Sequence, residues 1–470
     1  ALIAFKGASI ESYTPLLATS WSVNAAKSVY VFHLRHGVRF HTGRCCMTAD
    51  DVQYSIARTI TAQLAGFYLF GRFITDPFKQ ITVRDPYTVV FDLNRPQPAF
   101  LGAVASQYTG EILDARALKA HATNHDWGHA WASEHDAGTG PYMLQSWQHD
   151  QQMVLSRFPG YWGGWSGPHF SKIVLRTVPD ATTRRELMER GQADLTFDLT
   201  PPDYDALKKN PAVRVIAPYG TEIDYIVMAE AGPLASPYAR QALSYAFNYD
   251  ALINGIYHGY AKRSYGCLAS TLLGYDPNQF HYQTDLNKAR QLLQKAGVKP
   301  GTTLTYSYID PFGPMGEILQ AQLAQLDITV RLQHLDEAAF NNIFNGSEPA
   351  NKRPNLMPHN WWPDYNDPYG ECVPFIASSQ APPVGSNGGF YHNKQADALL
   401  AQMQYADRAV LIDDAHTLQD VTGRQDPPAI WAAEPAQATV LARSLQGYVF
   451  NPVELRTFYF YSMRRYASRQ

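Results

Sequence analysis

A strand–helix–strand pattern in the second half of the chain is the feature that most restricts the fold. Leu304–Ile309 and Ile328–Leu332 have the composition of short apolar strands, and Met315–Leu326 between them has a helical pattern. A helix that joins two strands of one sheet in this way makes the strands parallel. An earlier run, Ile173–Val178 followed by a helix over Ala181–Arg190, has the same character. The two runs predict open sheets of the α/β class.

The first part of the chain is richer in short strands and turns. Tyr30–Arg35 alternates as a half-buried strand does, and Val38–His41 is predicted to be a second short strand. Thr48–Asp51 predicts an N-cap with acids in the first turn of a helix. Residues 81–93 predict a hairpin around an Asp-Pro turn. From about Tyr225 onwards, longer helices replace the hairpins.

Length and charge restrict the organisation and exclude some function classes. A chain of 470 residues is too long for one core, so two or three domains are expected. No low-complexity linker is present, which favours lobes joined by hinge strands over lobes on a tether.

The net charge of −3 gives no bulk electrostatic case for nucleic acid or an anionic membrane. No run approaches 18 apolar residues. The start Ala-Leu-Ile-Ala, without Met or a signal peptide, is typical of a processed or truncated chain.

One stretch combines aromatic and acidic residues more densely than the rest. Trp361–Pro368 contains two Trp, one Tyr, two Asp, one Asn and two Pro in eight residues. It is too rich in Pro for a helix and is predicted to be a loop. An aromatic loop with a fixed carboxylate suits a cleft for a small, partly apolar cation. The alternative is a structural loop whose Trp side chains cover the edge of a core.

The four cysteines are not arranged as a metal or redox motif. Cys45 and Cys46 are adjacent, are not expected to pair with each other, and are interpreted as buried small hydrophobes. A bond between Cys267 and Cys372 is possible if their loops meet. No CxxC or zinc spacing is present.

Histidines and acids give no catalytic constellation. His121, His125 and His129 would share one face of a helix, but Gly128 weakens such a helix, so a solvated His-rich face is favoured over a metal site. No nucleophile elbow and no phosphate-binding loop is present. The sequence therefore offers no constellation for nucleophilic or general acid–base catalysis, and an enzyme, a cofactor and a metal site are not expected.

Several short motifs together resemble one family, the extracellular solute-binding proteins of ABC importers, family 5. This group includes the oligopeptide-, dipeptide- and nickel-binding receptors. The motifs extend over essentially the whole chain, and their number and order make the resemblance specific. In chain order they are Pro15–Trp21, Val38–Gly43 with Thr48–Val52, Gly138–Tyr142, Tyr161–Gly163, Val178–Arg184, Gly191–Leu195, Arg240–Ala246, Asp364–Pro368, and Gly447 with Asn451–Pro452.

The resemblance implies a two-lobe periplasmic-binding-protein fold (type II, cluster C) with an additional small α+β domain and a hinge between the lobes. The first lobe would comprise residues 1–21, 139–222 and 432–470, with the extra domain at 22–138 inserted in it. The second lobe would be residues 223–431, with hinge strands near Glu222 and Trp431. Members of the family have several dozen further N-terminal residues, so this chain would begin after that segment, where any lipid anchor would also lie.

The resemblance also implies the ligand and the site. Asp364 matches the carboxylate that pairs with the ligand's α-amino group in the peptide receptors, and the nickel receptors lack an acid there. Trp362 and Trp361 would form an apolar wall beside it, and Tyr365 is a further candidate. Gln107 and Tyr108 lie where the extra domain of relatives touches the cleft. Asp367 before Pro368 is interpreted as structural.

The expected protein is a monomeric periplasmic or extracytoplasmic receptor that captures a di- or oligopeptide and delivers it to a membrane permease. An oligosaccharide or a metal chelate is the alternative ligand within the same class. A peptide-holding chaperone or an enzyme on the same fold is the alternative from a different class, and an enzyme would need a titratable cluster in the cleft.

Overall fold

The structure is a computed structural model that describes residues 1–108 and 110–466. The chain divides into two compact units. Unit 1 comprises Ala1–Ile216 and the segment from Ala438 to the C terminus, and unit 2 comprises Ala217–Gln437. Within the described ranges, none of the helices combines the length and apolar content that a membrane-spanning helix requires.

Unit 1 is built from small sheets and short helices. Its elements are β1 (Ile3–Phe5), β2 (Tyr13–Pro15), β3 (Ala18–Val23), β4 (Val29–Leu34), α1 (Ala49–Thr61), α2 (Phe67–Phe70), α3 (Pro77–Gln80), β5 (Ile81–Asp85), β6 (Thr88–Asp92), α4 (Phe100–Ala105), α5 (Ala115–His121), α6 (His129–Ala132), β7 (Tyr142–Gln148), β8 (Gln152–Arg157), β9 (Lys172–Arg176), α7 (Ala181–Glu189), β10 (Leu195–Phe197), α8 (Pro201–Leu207) and β11 (Val213–Ile216).

The sheets of unit 1 have simple antiparallel registers. The largest has the strand order β3-β4-β6-β5, and β7-β8-β9 forms a three-stranded meander. The hairpin predicted for residues 81–93 is confirmed, since β5 and β6 pair with Val83 opposite Val89. The predicted strand Val38–His41 is wrong, because the only pairing there is a single bridge between Arg39 and Cys45 among the described residues. The segment is too short and too close to Gly43 to extend a ladder.

The helix predicted after Thr48 is confirmed as α1. The Asp51 side chain accepts from the Thr48 backbone N–H at 2.8 Å, which completes a capping box. Asp51 is buried and also receives the guanidinium of Arg44. The carboxylate therefore links the start of α1 to the loop before it.

The interpretation of Cys45 and Cys46 as unpaired, buried residues is wrong. The structure has a disulfide between them across a cis peptide bond, with the Cα atoms 3.0 Å apart. A cis peptide brings neighbouring Cα atoms closer than the usual 3.8 Å, so adjacent sulfur atoms can meet. Cys45 is exposed and Cys46 is half-buried, because both lie in the loop before α1 and not in a core.

The three histidines with helical spacing do not share a helix. Helix α5 ends at His121, and His125 has a left-handed backbone with φ of 61°. The ring of His121 instead stacks on Trp131 at 4.7 Å, and His135 stacks on the same indole at 4.6 Å.

Unit 2 has longer helices around one large sheet, and the chain then returns to unit 1. Its elements are β12 (Ile223–Met228), α9 (Pro237–Ala246), β13 (Ala261–Lys262), α10 (Leu286–Lys295), β14 (Thr303–Tyr308), α11 (Gly313–Ala324), β15 (Thr329–His334), α12 (Glu337–Phe344), β16 (Leu356–Trp361), α13 (Pro368–Ile376), α14 (Lys394–Met403), α15 (Arg408–Asp420) and β17 (Ala429–Pro435). Unit 1 is completed by β18 (Thr439–Ala442), which lies between β10 and β11, and by β19 (Leu445–Gln446) paired with β20 (Arg464–Arg465).

The six-stranded sheet of unit 2 has the order β13-β17-β12-β16-β14-β15. The predicted strand–helix–strand unit is confirmed, since β14 and β15 are parallel and α11 connects them. Strand β12 is buried along its whole length, and its residues alternate between two apolar clusters. Ile226 and Met228 belong to the cluster beneath α9, α10 and α11, and Tyr225 and Val227 belong to the one beneath α13, α14 and α15. A sheet covered on both faces explains the apolar run Tyr225–Met228 within this strand.

Candidate functional site

The aromatic and acidic stretch connects strand β16 to helix α13 in unit 2. The prediction that it is a loop throughout is wrong at both ends. Trp361 is the last residue of β16 and pairs with Ile223, and Pro368 is the first residue of α13. The indole of Trp361 packs edge-on against Phe375 at 6.3 Å. Trp361 therefore joins the second apolar cluster, whereas Trp362 is half-buried in the loop itself.

Two polar side chains hold the loop in place. Asn366 Oδ1 accepts from the backbone N–H of Leu273 at 2.7 Å. Asp367 caps α13 by accepting from the backbone N–H of Gly370 at 3.2 Å, which is the structural role that its position before Pro368 predicts. Asp364 is thus in a loop that is fixed at its C-terminal side by other residues.

Asp364 and Tyr365 are both buried, with 7% and 2% of their surface exposed. A buried carboxylate costs free energy unless polar or charged groups compensate it, so Asp364 is an unusual side chain for a position used only in packing.

A second carboxyl group, Glu371, lies beneath the loop in the first turn of α13. It is fully buried, and neither carboxyl oxygen has a hydrogen-bond partner in the described part of the chain. Burial raises its pKa well above the usual range, and the charges of Cys267, Asp364 and Glu434 add to this shift. Folding therefore favours the protonated form of Glu371 more than water does.

Glu434 is a third buried acid on this side of the sheet. Its carboxylate accepts from Ser270 Oγ at 2.7 Å and lies 3.3 Å from Lys262 Nζ. Burial raises its pKa, while Ser270 and Lys262 oppose the shift. Sequence reasoning missed both glutamates. Glu434 interrupts the apolar run of β17, which is a usable signal, but Glu371 looks like an ordinary acid of a first helical turn.

The segments where the chain enters and leaves unit 2 are joined to the strand that carries the loop. The buried carboxylate of Glu222 accepts from Asn360 Nδ2 at 2.5 Å and from Gln437 Nε2 at 2.7 Å. The backbone N–H of Gln437 also donates to Pro218 O at 2.7 Å. Through Glu222, the end of β16 is therefore bonded to the segment where the chain enters unit 2 and to the segment where it leaves.

The remaining two site candidates lie in unit 1, after helix α4. Tyr108 is 39% exposed. Gln107 is half-buried, and its side-chain oxygen accepts from the hydroxyl of Thr457. The structure therefore brings Trp361, Trp362, Asp364 and Tyr365 together in unit 2 and places Gln107 and Tyr108 in unit 1.

Motif residues of unit 1 line an apolar cavity of about 560 Å³. Gly138–Pro141 and Trp162 form part of its wall, together with Leu17 and Tyr461. The guanidinium of Arg35 lies 4.0 Å from the centre of the Trp162 ring. These motifs therefore contribute to an apolar cavity of unit 1. Among the described residues, no group of three or more His, Cys, Asp or Glu side chains is arranged to hold a metal ion.

The buried glutamates predict how stability depends on pH. A carboxyl whose pKa is raised by folding stabilises the native state fully below its unfolded value of about 4.5, and this stabilisation is lost as the pH rises through the folded value. We expect the free energy of unfolding to fall from pH 5 to pH 8, and Glu371→Gln to flatten that fall. Urea titrations at both pH values measure the difference.

Glu454 in unit 1 is the matched control. It is buried, accepts from Tyr459 Oη at 2.6 Å, and burial raises its pKa to about 7. Glu454→Gln should therefore flatten the fall only between about pH 4.5 and 7. If the unfolding free energy of Glu371→Gln depends on pH in the same way as that of the unmodified protein, then folding does not raise the pKa of Glu371.

Comparisons with known proteins identify the class of protein. Residues 12–383 match the family model of bacterial extracellular solute-binding proteins, family 5 (middle region). The chain is 27% identical to the probable D,D-dipeptide-binding periplasmic protein DdpA of Escherichia coli K12, over 94% of this chain and 83% of that protein. It is also 27% identical to heme-binding protein A of Haemophilus influenzae, over 97% of this chain and 85% of that protein.

The fold is that of solved periplasmic binding proteins. The structure of the periplasmic binding protein DppA from Helicobacter pylori, in complex with the peptide STSA, matches with a TM-score of 0.85 at 24% identity. The match covers 99% of this chain and 91% of that one. The resemblance found in the motifs is thereby confirmed, and these relatives are binding proteins. The chain belongs to the bacterial extracellular solute-binding proteins of family 5.

Proposed function

We propose that the chain is the extracytoplasmic receptor of an ABC importer and that it captures a short peptide by its free amino terminus. The observation that carries the proposal is Asp364, a buried carboxylate in an aromatic loop whose neighbours Asn366 and Asp367 fix the backbone. The peptide-binding names of relatives such as DdpA support the same ligand class.

The physical reason is the cost of burying an ammonium group. An ammonium group removed from water needs a charge partner, and a charge-assisted hydrogen bond to a carboxylate supplies it. Burial raises the pKa of Glu371, so folding shifts this neighbour of Asp364 towards its uncharged form and limits the negative charge around a ligand cation.

In this proposal the lobes are those that the family resemblance implies, with residues 1–21, 139–222 and 432–470 as lobe I, residues 22–138 as the extra domain, and residues 223–431 as lobe II with the ligand loop. The two compact units differ from this division at its edges, since residues 217–222 and 432–437 belong to unit 2. The ligand would be enclosed when the lobes close, and its contacts to the closed state would supply the free energy of closure.

A metal chelate such as heme is the second candidate ligand. The relative heme-binding protein A, which aligns over 97% of this chain, favours it. The half-buried indole of Trp362 in the loop is a flat apolar group that suits contact with a large ring system. A chelate does not need an ammonium partner, so its binding would not depend on Asp364.

Native mass spectrometry of the purified protein, followed by mild denaturation, tests the proposal. We expect a set of peptide masses to be released, and we expect Asp364→Ala to lose them. Release of a heme or another chelate would contradict the peptide as ligand and support the metal chelate. A protein that carries nothing and binds no peptide, sugar or chelate in titrations would contradict the receptor function.

The two tryptophans of the loop are expected to differ in effect. Trp362→Ala should weaken peptide binding about ten-fold with little change in melting temperature, because Trp362 lies in the loop and outside the core. Trp361→Ala should instead cost about 2 to 3 kcal/mol of stability, because its indole packs against Phe375. Calorimetric titration measures the affinity of both variants, and thermal unfolding measures their stability. If the two changes lowered affinity equally, the prediction that Trp362 and not Trp361 contacts the ligand would be contradicted.

A further inference from the structure

Two cysteines that are distant in sequence meet in the core of unit 2. The Sγ atoms of Cys267 and Cys372 are 2.9 Å apart, and the residues are 105 positions apart in the chain. Both are fully buried in the apolar cluster beneath α13, α14 and α15. A disulfide bond requires about 2.05 Å between the sulfur atoms, so they must approach by only about 0.9 Å.

The surroundings of the two sulfurs offer no competing role. The hydroxyl of Thr422 lies 3.7 Å from Cys267 Sγ, and the carboxyl of Glu371 belongs to the residue next to Cys372. Burial raises the pKa of the Cys372 thiol well above its ordinary value. A buried thiol that does not ionise is neither a nucleophile nor a metal ligand. Proximity, and not reactivity in the folded state, is what this pair provides.

We propose that Cys267 and Cys372 form a structural disulfide in the exported protein. A bond forms between the two Sγ atoms as both S–H bonds break. The two electrons and two protons pass to the disulfide of an exported thiol–disulfide oxidoreductase, which leaves as a dithiol. Because the folded core excludes such a partner, the exchange takes place before the cluster closes around the sulfurs. The extracytoplasmic location of the family is compatible with this chemistry.

The bond connects the two elements that hold the ligand loop. Cys372 lies in α13, whose N-cap Asp367 ends the loop, and Cys267 lies in the segment that leads to Leu273. The backbone N–H of Leu273 is the donor that fixes Asn366. The disulfide therefore fixes the segments on which the position of Asp364 depends, and this consequence rests on the proposed function.

The test uses a background in which the other disulfide is removed. In Cys45→Ala/Cys46→Ala protein purified from an oxidising compartment without reductant, Cys267 and Cys372 are the remaining cysteines. We expect no maleimide labelling after denaturation and two labels after reduction. A digest without reductant should contain one cross-linked peptide that holds both residues. Labelling of both cysteines in the denatured, unreduced protein would overturn the proposal.

Stability gives a second readout. In that background, adding Cys267→Ala, Cys372→Ala or both should lower the melting temperature by about 5 to 10 °C, and by nearly the same amount in all three cases. Each single change already breaks the bond, so the second adds little. Effects of the two single changes that simply add would indicate two separate buried thiols.

Peptide binding by the same background protein is measured in parallel. Amine-dependent binding without a cross-linked peptide would refute the disulfide and leave the proposed function intact. A cross-linked peptide in a protein that binds no peptide would support the disulfide and refute the proposed function.

Discussion

Replacing Asp364 with asparagine is expected to weaken the binding of a peptide with a free amino terminus by about 100-fold or more. The substitution keeps the size of a side chain that is 7% exposed, but it removes the charge that pairs with the ligand ammonium. Breaking one partner of a buried ion pair costs about 3 to 5 kcal/mol, and 1.4 kcal/mol corresponds to a factor of ten in affinity. Calorimetric titration with the peptide that mass spectrometry identifies measures the loss.

The control for Asp364 is an acid of the same unit with a purely structural role. Asp336 caps α12 by accepting from the backbone N–H of Ala339 at 2.7 Å, and asparagine caps a helix equally well. Asp336→Asn should therefore leave affinity unchanged. N-acetylation of the peptide should reduce its affinity for the unmodified protein as much as Asp364→Asn does. Acetylation should have little further effect on the variant, and a full additional loss there would place the ammonium partner elsewhere.

The acid–amine pair also fixes the direction of the pH dependence of binding. A peptide amine has a pKa of about 8, so it loses its charge above that pH. Affinity should fall as the pH rises from 7 to 9, and the fall should be absent in Asp364→Asn. Affinity that rises over this interval would exclude an ammonium ligand.

Local signals in the sequence were sufficient for much of the fold. The capping box at Thr48 and the alternation of β5 and β6 depend only on neighbouring residues, so these elements are confirmed. The parallel pairing of β14 and β15 follows from the helix between them. For the site, the loop after Trp361 was found from composition and from resemblance, and the structural role of Asp367 from its place before Pro368.

Contacts between distant parts of the chain could not be read in this way. Glu371 is fully buried and lies near Cys267 and Glu434, which are distant in the chain, and nothing near Glu371 in the sequence indicates this. Trp361 belongs to a strand because Ile223, far away in the chain, supplies the ladder. The pairing of Cys45 with Cys46 depends on a cis peptide bond, which sequence patterns do not reveal.

The largest effect on stability is expected at Arg240, within the motif Arg240–Ala246. Its side chain is fully buried, and its guanidinium pairs with the carboxylate of Asp426. It also donates to the carbonyl oxygens of Leu234 at 2.7 Å, Ala235 at 3.0 Å and Pro427 at 3.1 Å. Asp426 in turn accepts from Asn393, the N-cap residue of α14, at 2.8 Å. One cation thus satisfies groups on two segments of unit 2, and Asp426 extends the network to a third, the start of α14.

Arg240→Met is expected to lower the free energy of unfolding by about 3 to 5 kcal/mol. Methionine fills similar space without a donor, so three carbonyl groups lose their donor, and Asp426, which keeps its bond to Asn393, loses its cation. Arg424→Met is the matched control, because Arg424 forms an exposed pair with Asp420 on the helical surface, where such pairs contribute about 1 kcal/mol or less. Urea unfolding of both variants measures the difference. Equal losses would mean that water or a rearranged segment takes over the bonds of Arg240, and that this part of unit 2 is less tightly determined than its hydrogen bonds indicate.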